Sequence, residues 1–248
     1  MIKVEGLTKS FGGLTAVNNV SFQIKENELS SIIGPNGAGK STLFNLLTGH
    51  ISPDEGKIIF RGRDITDMPP HAICRMGIGR SFQRQNIFPR LSTFENIQIA
   101  IFSAKKISGS LFTRAEKKFK EETCEVLKYV GLYEKMHVKG GQLAYGDQKR
   151  LEIGIALAIE PSLILFDEPT AGMSPGETHE ITELIQQLVR EHGLTLVFVE
   201  HDMEIVFGIS EKIKVMHQGS IIFEGNPEEV RANEEVQRIY LGEDKYAS

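Results

Sequence analysis

Leu29-Ser-Ser-Ile-Ile33 runs directly into Gly34-Pro35-Asn36-Gly37-Ala38-Gly39-Lys40-Ser41, and Thr42-Leu-Phe-Asn-Leu-Leu47 follows. The first five residues are a short β-rich run, and Ser41–Leu47 has a helical pattern. Between them the chain fits G-x-x-x-x-G-K-[ST] in the strand–turn–helix context that gives the motif its meaning. Glycines let successive backbone N–H groups turn toward one point. The helix start adds free N–H groups and the positive end of its dipole, so the turn is a cradle for phosphate. Lys40 can reach the β- and γ-phosphates of a nucleoside triphosphate, and the Ser41 hydroxyl can hold Mg²⁺.

Such a cradle needs a carboxylate for the metal-bound water. Leu163-Ile-Leu-Phe166 is an apolar run ending in Asp167-Glu168-Pro169. It reads as a strand buried on both faces, and acids at its carboxyl end fall where α/β sheets bind ligands. Asp167 is the candidate metal group and Glu168 the candidate base for the attacking water.

Outward from these landmarks, Ile2–Val4, Ala16–Ile24 and Lys57–Phe60 read as strands. Asn18 and Asn19 interrupt the second, where a hairpin or bulge is expected, and 61–64 reads as a turn. From about Pro69 to Lys139 helical patterns dominate, notably Thr93–Phe102 and Arg114–Tyr129, with a polar loop over 105–113 and a linker at 139–141. Helix, strand, helix and strand then alternate over Gln148–Ile159, Leu163–Phe166, Glu177–Glu191 and Thr195–Val199, which predicts a parallel sheet covered on both faces. Ile213–Met216 and Ile221–Phe223 flank Gln218-Gly219 as a hairpin, and Pro227–Tyr240 reads as polar helix.

The composition agrees with this α/β plan. At 248 residues, 40% hydrophobic and 25% charged, the chain can bury about three quarters of its unfolded surface without staples. Net charge is −5, which excludes a bulk electrostatic nucleic-acid binder. Cys74 and Cys124 are expected to be spare buried thiols, suited to a reducing compartment. There is no signal-like start and no uncharged apolar run of the roughly 18 residues that would span a bilayer. Any membrane role must work through a partner.

Four further features complete a pattern: Ser81-Phe82-Gln83, Leu143-Ala144-Tyr145-Gly146-Asp147, Asp167-Glu168 and Val199-Glu-His201-Asp202. With the phosphate loop they resemble the ATPase subunits of ABC transporters over essentially the whole chain. The resemblance implies a P-loop ATPase core with a mixed sheet and an antiparallel β subdomain over 1–84 and 142–248, and an inserted helical subdomain over 85–141. It implies ATP and Mg²⁺ as cofactors. Residues 34–42, from Gly34 to Thr42, would hold the phosphates. Phe11 would stack on the adenine, where the family usually has Tyr, or else be ordinary core. Gln83 would bind Mg²⁺ or water, and His201 would meet the γ-phosphate. His50, His71, His137, His179, His192 and His217 have no such context and read as structural.

Two motifs depart from the common form. Ala144 and Tyr145 replace the usual Ser and Gly of the signature, so Gly146 and the helix starting near Asp147 must carry the phosphate contact. Ser174 replaces an aspartate in the loop after Pro169. With Arg80–Arg84, Phe94-Glu-Asn96, Arg150-Leu-Glu-Ile and Tyr240-Leu-Gly242, these departures resemble the branched-chain amino-acid importer ATPases, with urea-importer and lipopolysaccharide-exporter ATPases as near relatives. The resemblance implies a head-to-tail dimer around two Mg-ATP, with the second ATPase subunit identical or a paralogue. The partners implied are integral permease subunits and, indirectly, a periplasmic or extracellular solute-binding protein, with the chain peripheral at the cytoplasmic face of the membrane. Thr93–Phe102 would border the permease dock or belong to the core. A non-transport ABC ATPase and a non-catalytic nucleotide-binding regulator are the competing readings; a single short chain with Glu168 and His201 both present speaks against each.

Overall fold

The computed structural model describes residues 1–81, 87–105 and 112–244. Two sheets organise it. Strands β1 (Ile2–Phe11), β2 (Leu14–Ile24), β4 (Glu55–Phe60) and β5 (Arg63–Asp64) form an antiparallel sheet in the order β2-β1-β4-β5. Strands β3 (Leu29–Ile33), β6 (Ile78–Arg80), β7 (Leu163–Asp167), β8 (Thr195–Val199), β9 (Lys212–His217) and β10 (Ser220–Gly225) form the second, in the order β10-β9-β3-β8-β7-β6. Its pairs are parallel except the β9–β10 hairpin, so the sheet is mixed.

Every residue of β3, β7 and β8 is buried. Because successive side chains point to opposite faces, alternate residues enter different cores. Leu163, Leu165, Val197 and Val199 pack with helix α1 (Lys40–Leu47) and the antiparallel sheet. Ile164, Phe166, Leu196 and Phe198 pack under the helices of the other face. Helix α1, with Leu43, Phe44, Leu46 and Leu47 buried, is thus wedged between the two sheets. That fixes the phosphate loop at its N-terminus.

Helices α3 (Thr93–Ala104), α4 (Phe112–Tyr129) and α5 (Tyr145–Leu157) pack together beside the sheet. Ser92 and Glu95 make a reciprocal capping box at the start of α3, which satisfies two of its orphan N–H groups. Ile97 and Ile101 are buried, and Phe94 and Phe102 pack against the same core. The apolar stripe of Thr93–Phe102 is therefore core. Helix α6 (Pro175–His192) runs from a second capping box, Ser174 with Glu177, to Gly193 in the left-handed conformation.

The structure departs from the sequence expectations where local pattern was weak. The interruption at Asn18-Asn19 is a bulge: Asn19 has φ 49°, and the pairing register shifts between Leu7 and Lys9. The hairpin turn lies at Gly12-Gly13. Residues 61–64 hold a strand as well as a turn, since Arg61 and Gly62 both take positive φ and return Arg63 opposite Phe60. Helix α5 starts three residues before Gln148. The 139–141 linker instead pairs Lys139 with Ser92 and makes a short 3-10 turn over Gly140–Gln142. Helix α2 (Pro70–Arg75) falls in the stretch read as helical from Pro69, β6 interrupts that stretch by pairing with β7, and helix α7 (Met203–Ile209) was not foreseen, being short. The C-terminal polar stretch breaks at Asn233 into α8 (Pro227–Ala232) and α9 (Glu234–Asp244); the Asn233 side chain accepts from Val236 N, capping α9. Cys74 and Cys124 are free but only partly buried. Of the expected 105–113 loop, residues 106–111 lie outside the described residues.

Candidate functional site

The loop between β3 and α1 turns through three glycines at positive φ, Gly34, Gly37 and Gly39. Two of them have backbone against them: a Cβ would lie 2.1 Å from Met216 O at Gly34 and 2.2 Å from Ala16 O at Gly39. The loop is thus threaded between β9 and β2, and Gly219 N donates to Ala38 O at 3.0 Å. Lys40 is buried, and its Nζ donates to Gly34 O at 2.5 Å and Pro35 O at 3.0 Å. The Gly39 N-cap offers no side chain to the first turn of α1, which leaves that end suited to an external anion.

A cleft of about 810 Å³ opens over this loop. It is lined by Phe11, Leu14, Thr15, Ala16, residues 36–42, Glu168, His201 and Gln218. The structure therefore brings together four groups predicted separately. Phe11 is 49% exposed, so it stands at the surface and is not core. Leu14, Thr15, Ala16 and Gln218 were missed, because nothing local marks a hairpin end or a β-turn as the wall of a distant loop. Gln83 lies outside the described residues.

Asp167 and Glu168 leave the end of β7 in different environments. Asp167 is buried, and its Oδ2 accepts from Arg80 Nη2 at 3.3 Å. Its Oδ1 is buried without a protein partner. Burial lifts the Asp167 carboxyl above its ordinary range; Arg80 and Lys40 oppose this, while Glu168 adds to it. A cation or metal-bound water at Oδ1 would satisfy the orphan acceptor and favour the carboxylate. The residues fit Mg²⁺, with the Ser41 hydroxyl and Asp167 as hard oxygen groups. Among the described residues no three His, Cys, Asp or Glu side chains converge to hold a metal.

Glu168 adopts φ +52°, a left-handed conformation that is uncommon outside glycine and costly for a side-chain-bearing residue. Its N–H donates to Val199 O at 2.9 Å, which pins the turn to the end of β8. The result aims its Oε1 at His201 Nε2, 3.1 Å away.

Arg80, absent from the sequence reading of the site, also donates to Asn45 Oδ1 at 2.6 Å and Thr48 Oγ1 at 3.3 Å, joining β6 to α1. For a carboxyl whose folded pKa lies above its unfolded one, ionisation costs stability, beginning as pH rises through about 3.9. Removing Arg80 lifts Asp167 further. Arg80→Met is therefore expected to destabilise the chain by about 3 kcal/mol at neutral pH and by clearly less near pH ~4. Urea unfolding at the two pH values measures this; an equal deficit at both would assign the loss to Asn45 and Thr48 alone.

Residues 143–147 sit elsewhere. None lines the cleft. Leu143 is buried, and Ala144 is the N-cap of α5 with no side-chain cap. Tyr145 is partly exposed, and its hydroxyl donates to Ala171 O at 2.9 Å. Gly146 N donates to Glu177 Oε1 at 3.3 Å, and Asp147 pairs with Lys135. The signature thus holds the 171–177 segment of its own chain, a tie that only the fold makes visible. Ser174, in the place of the usual aspartate, is the N-cap of α6.

A family model described as ABC transporter matches residues 17–171, and one described as branched-chain amino acid ATP-binding cassette transporter matches 220–246. The chain belongs to the ABC transporter ATP-binding family. The high-affinity branched-chain amino acid transport ATP-binding protein LivG of Salmonella typhimurium is 43% identical over 98% of each chain. An ATP-binding cassette of an ABC transporter, solved in its ADP conformation, superposes with a TM-score of 0.85 at 32% identity over 98% of each chain. A second cassette, solved as a dimer in a post-hydrolysis state with ADP and Pi, has a TM-score of 0.78 at 30% identity, covering 92% of this chain and 99% of its own. The cassette described here is accordingly an ABC ATPase, with an α/β fold of mixed and antiparallel sheets. Among its described residues no helix is long and apolar enough to cross a membrane.

Proposed function

We propose that this cassette binds and hydrolyses Mg-ATP to energise the import of branched-chain amino acids. The observation that carries the reading is the single cleft in which the phosphate loop, Glu168 and His201 face one another, with Phe11 at its rim. In this reading residues 34–42 hold the phosphates, with Lys40 released from its loop carbonyls to the β- and γ-phosphates. Phe11 stacks on adenine. Ser41, Asp167 and Gln83 hold Mg²⁺, which screens phosphate charge when bound. Glu168 takes the proton of the attacking water, and His201 orients the γ-phosphate and that water.

Two cassettes close head to tail, so that 143–147 of one meet the nucleotide of the other; the dimeric neighbour with ADP and Pi supports this. The ties at Tyr145 and Gly146 then gain a meaning. In the single chain Gly146 N–H is occupied by Glu177, and a partner's phosphate must displace that carboxylate. Residues 1–84 and 142–248 act as the ATP-binding body, and 85–141 as the helical arm. The cassette sits peripherally on the cytoplasmic face against integral permease subunits, which a solute-binding protein supplies. The high identity to LivG over the whole chain supports the solute class.

The test is uptake in the source cell. Deleting this chain should abolish energised uptake of labelled leucine, isoleucine and valine, and the parent chain should restore it. Lys40→Ala should not, because losing a charged contact worth about 1.5–3 kcal/mol weakens ATP binding roughly tenfold or more. Unchanged amino-acid uptake in the deletion, with urea uptake or lipid export lost instead, would overturn the solute assignment.

A further inference from the structure

Glu200 stands between the two groups assigned to the chemistry and has no part in it so far. It follows the last residue of β8, precedes His201, and is only 4% exposed. Its Oε1 accepts from Thr170 N at 2.9 Å and from Thr170 Oγ1 at 2.6 Å. Its Oε2 accepts from His201 N at 3.3 Å. Thr170 is itself buried, two residues after Glu168. One carboxylate therefore joins the backbone that follows Glu168 to the backbone that carries the His201 imidazole.

We infer that Glu200 is a positioning residue for hydrolysis: anchored on Thr170 through one oxygen, it holds His201 through the other and so sets where His201 stands relative to Glu168. This rests on the roles proposed above for those two residues. The chemistry explains why an acid is used. A buried carboxylate is costly unless its lone pairs are met, and here three donors meet it on two sides. A carboxamide offers acceptor capacity on one side only; its NH₂ must face either the His201 N–H or the Thr170 donors, donor against donor. Aspartate is one methylene shorter and cannot span both loops. Without the strap, the loops are joined by the Glu168 N to Val199 O bond and by the Glu168–His201 contact. Neither restrains the His201 backbone. Glu200 touches none of the reacting atoms, so its effect must pass through His201.

The experiment is steady-state Mg-ATP hydrolysis by the full chain, with nucleotide affinity read from a fluorescent ATP analogue and folding read from thermal unfolding. Glu200→Gln should lower kcat roughly tenfold or more, as small misplacements of catalytic groups do, with affinity within about twofold of the parent. Thr170→Val should lose kcat in the same way, and Thr170→Ser, which keeps the hydroxyl, should restore it. In a His201→Ala background, Glu200→Gln should cost nothing further. Losses that multiply in the double variant, or a parental kcat in Glu200→Gln, would overturn the inference while leaving the site reading intact. A parental rate in His201→Ala alone would overturn the site reading and this inference with it. Should Glu200→Gln fail to fold, the contrast between Thr170→Val and Thr170→Ser decides the matter: equal rates in the two overturn it.

Discussion

Glu168→Gln is expected to bind Mg-ATP about as well as the parent chain and to hydrolyse it at least about 100-fold more slowly, the scale of a lost general base. The substitution is nearly isosteric. The amide can still meet His201 Nε2, the N–H bond to Val199 O is untouched, and glutamine tolerates φ +52° no worse than glutamate. Only the capacity to take a proton is lost. With hydrolysis blocked, the closed dimer should accumulate, and analytical ultracentrifugation with and without Mg-ATP would show it. Turnover at the parental rate would remove Glu168 from the chemistry. A chain that stays monomeric at saturating ATP, alone and with any paralogous cassette of the same transporter, would remove the head-to-tail dimer.

Gly39→Ala should abolish measurable nucleotide binding and lower stability by several kcal/mol, whereas Gly37→Ala should cost only about 1–2 kcal/mol. Both glycines have positive φ, at 102° and 80°, so both alanines carry the left-handed penalty. They differ in surroundings. At Gly39 the new Cβ would lie 2.2 Å from Ala16 O, a backbone atom of β2 that can move only with its strand; at Gly37 nothing lies within 4 Å. The loop must therefore open at Gly39, and Lys40 moves with it. Thermal unfolding and titration with a fluorescent ATP analogue measure the two variants side by side. If both bind nucleotide equally, the seat of the loop against β2 has no bearing on phosphate binding.

The parts of the site that were legible in the sequence share one property: their chemistry is written within a few consecutive residues. Gly34 to Thr42 needs only a strand before it and a helix after it, and 163–168 needs only an apolar run ended by acids. Their meeting in one cleft followed from parallel strands whose carboxyl ends lie side by side. Phe11 and His201 came through resemblance, since an isolated aromatic or histidine carries no local signature of a nucleotide. The alternation of buried residues along β7 and β8 was likewise implicit in continuous apolar runs, which have no face to spare for water.

What the sequence by itself determined is the α/β plan, the phosphate loop and its acids, and the departure of the signature at Ala144 and Tyr145. Tertiary structure alone decided which long-range partners complete them. Arg80 reaches Asp167 across 87 positions, Glu200 reaches back 30 to Thr170, and Tyr145 reaches forward 26 to Ala171. The physical reason is that a hydrogen bond or ion pair depends on distance in space, to within a few tenths of an ångström. Hydrophobic periodicity places whole faces of helices and strands, but not individual polar atoms. Those are placed only when the two cores close on either side of the sheet.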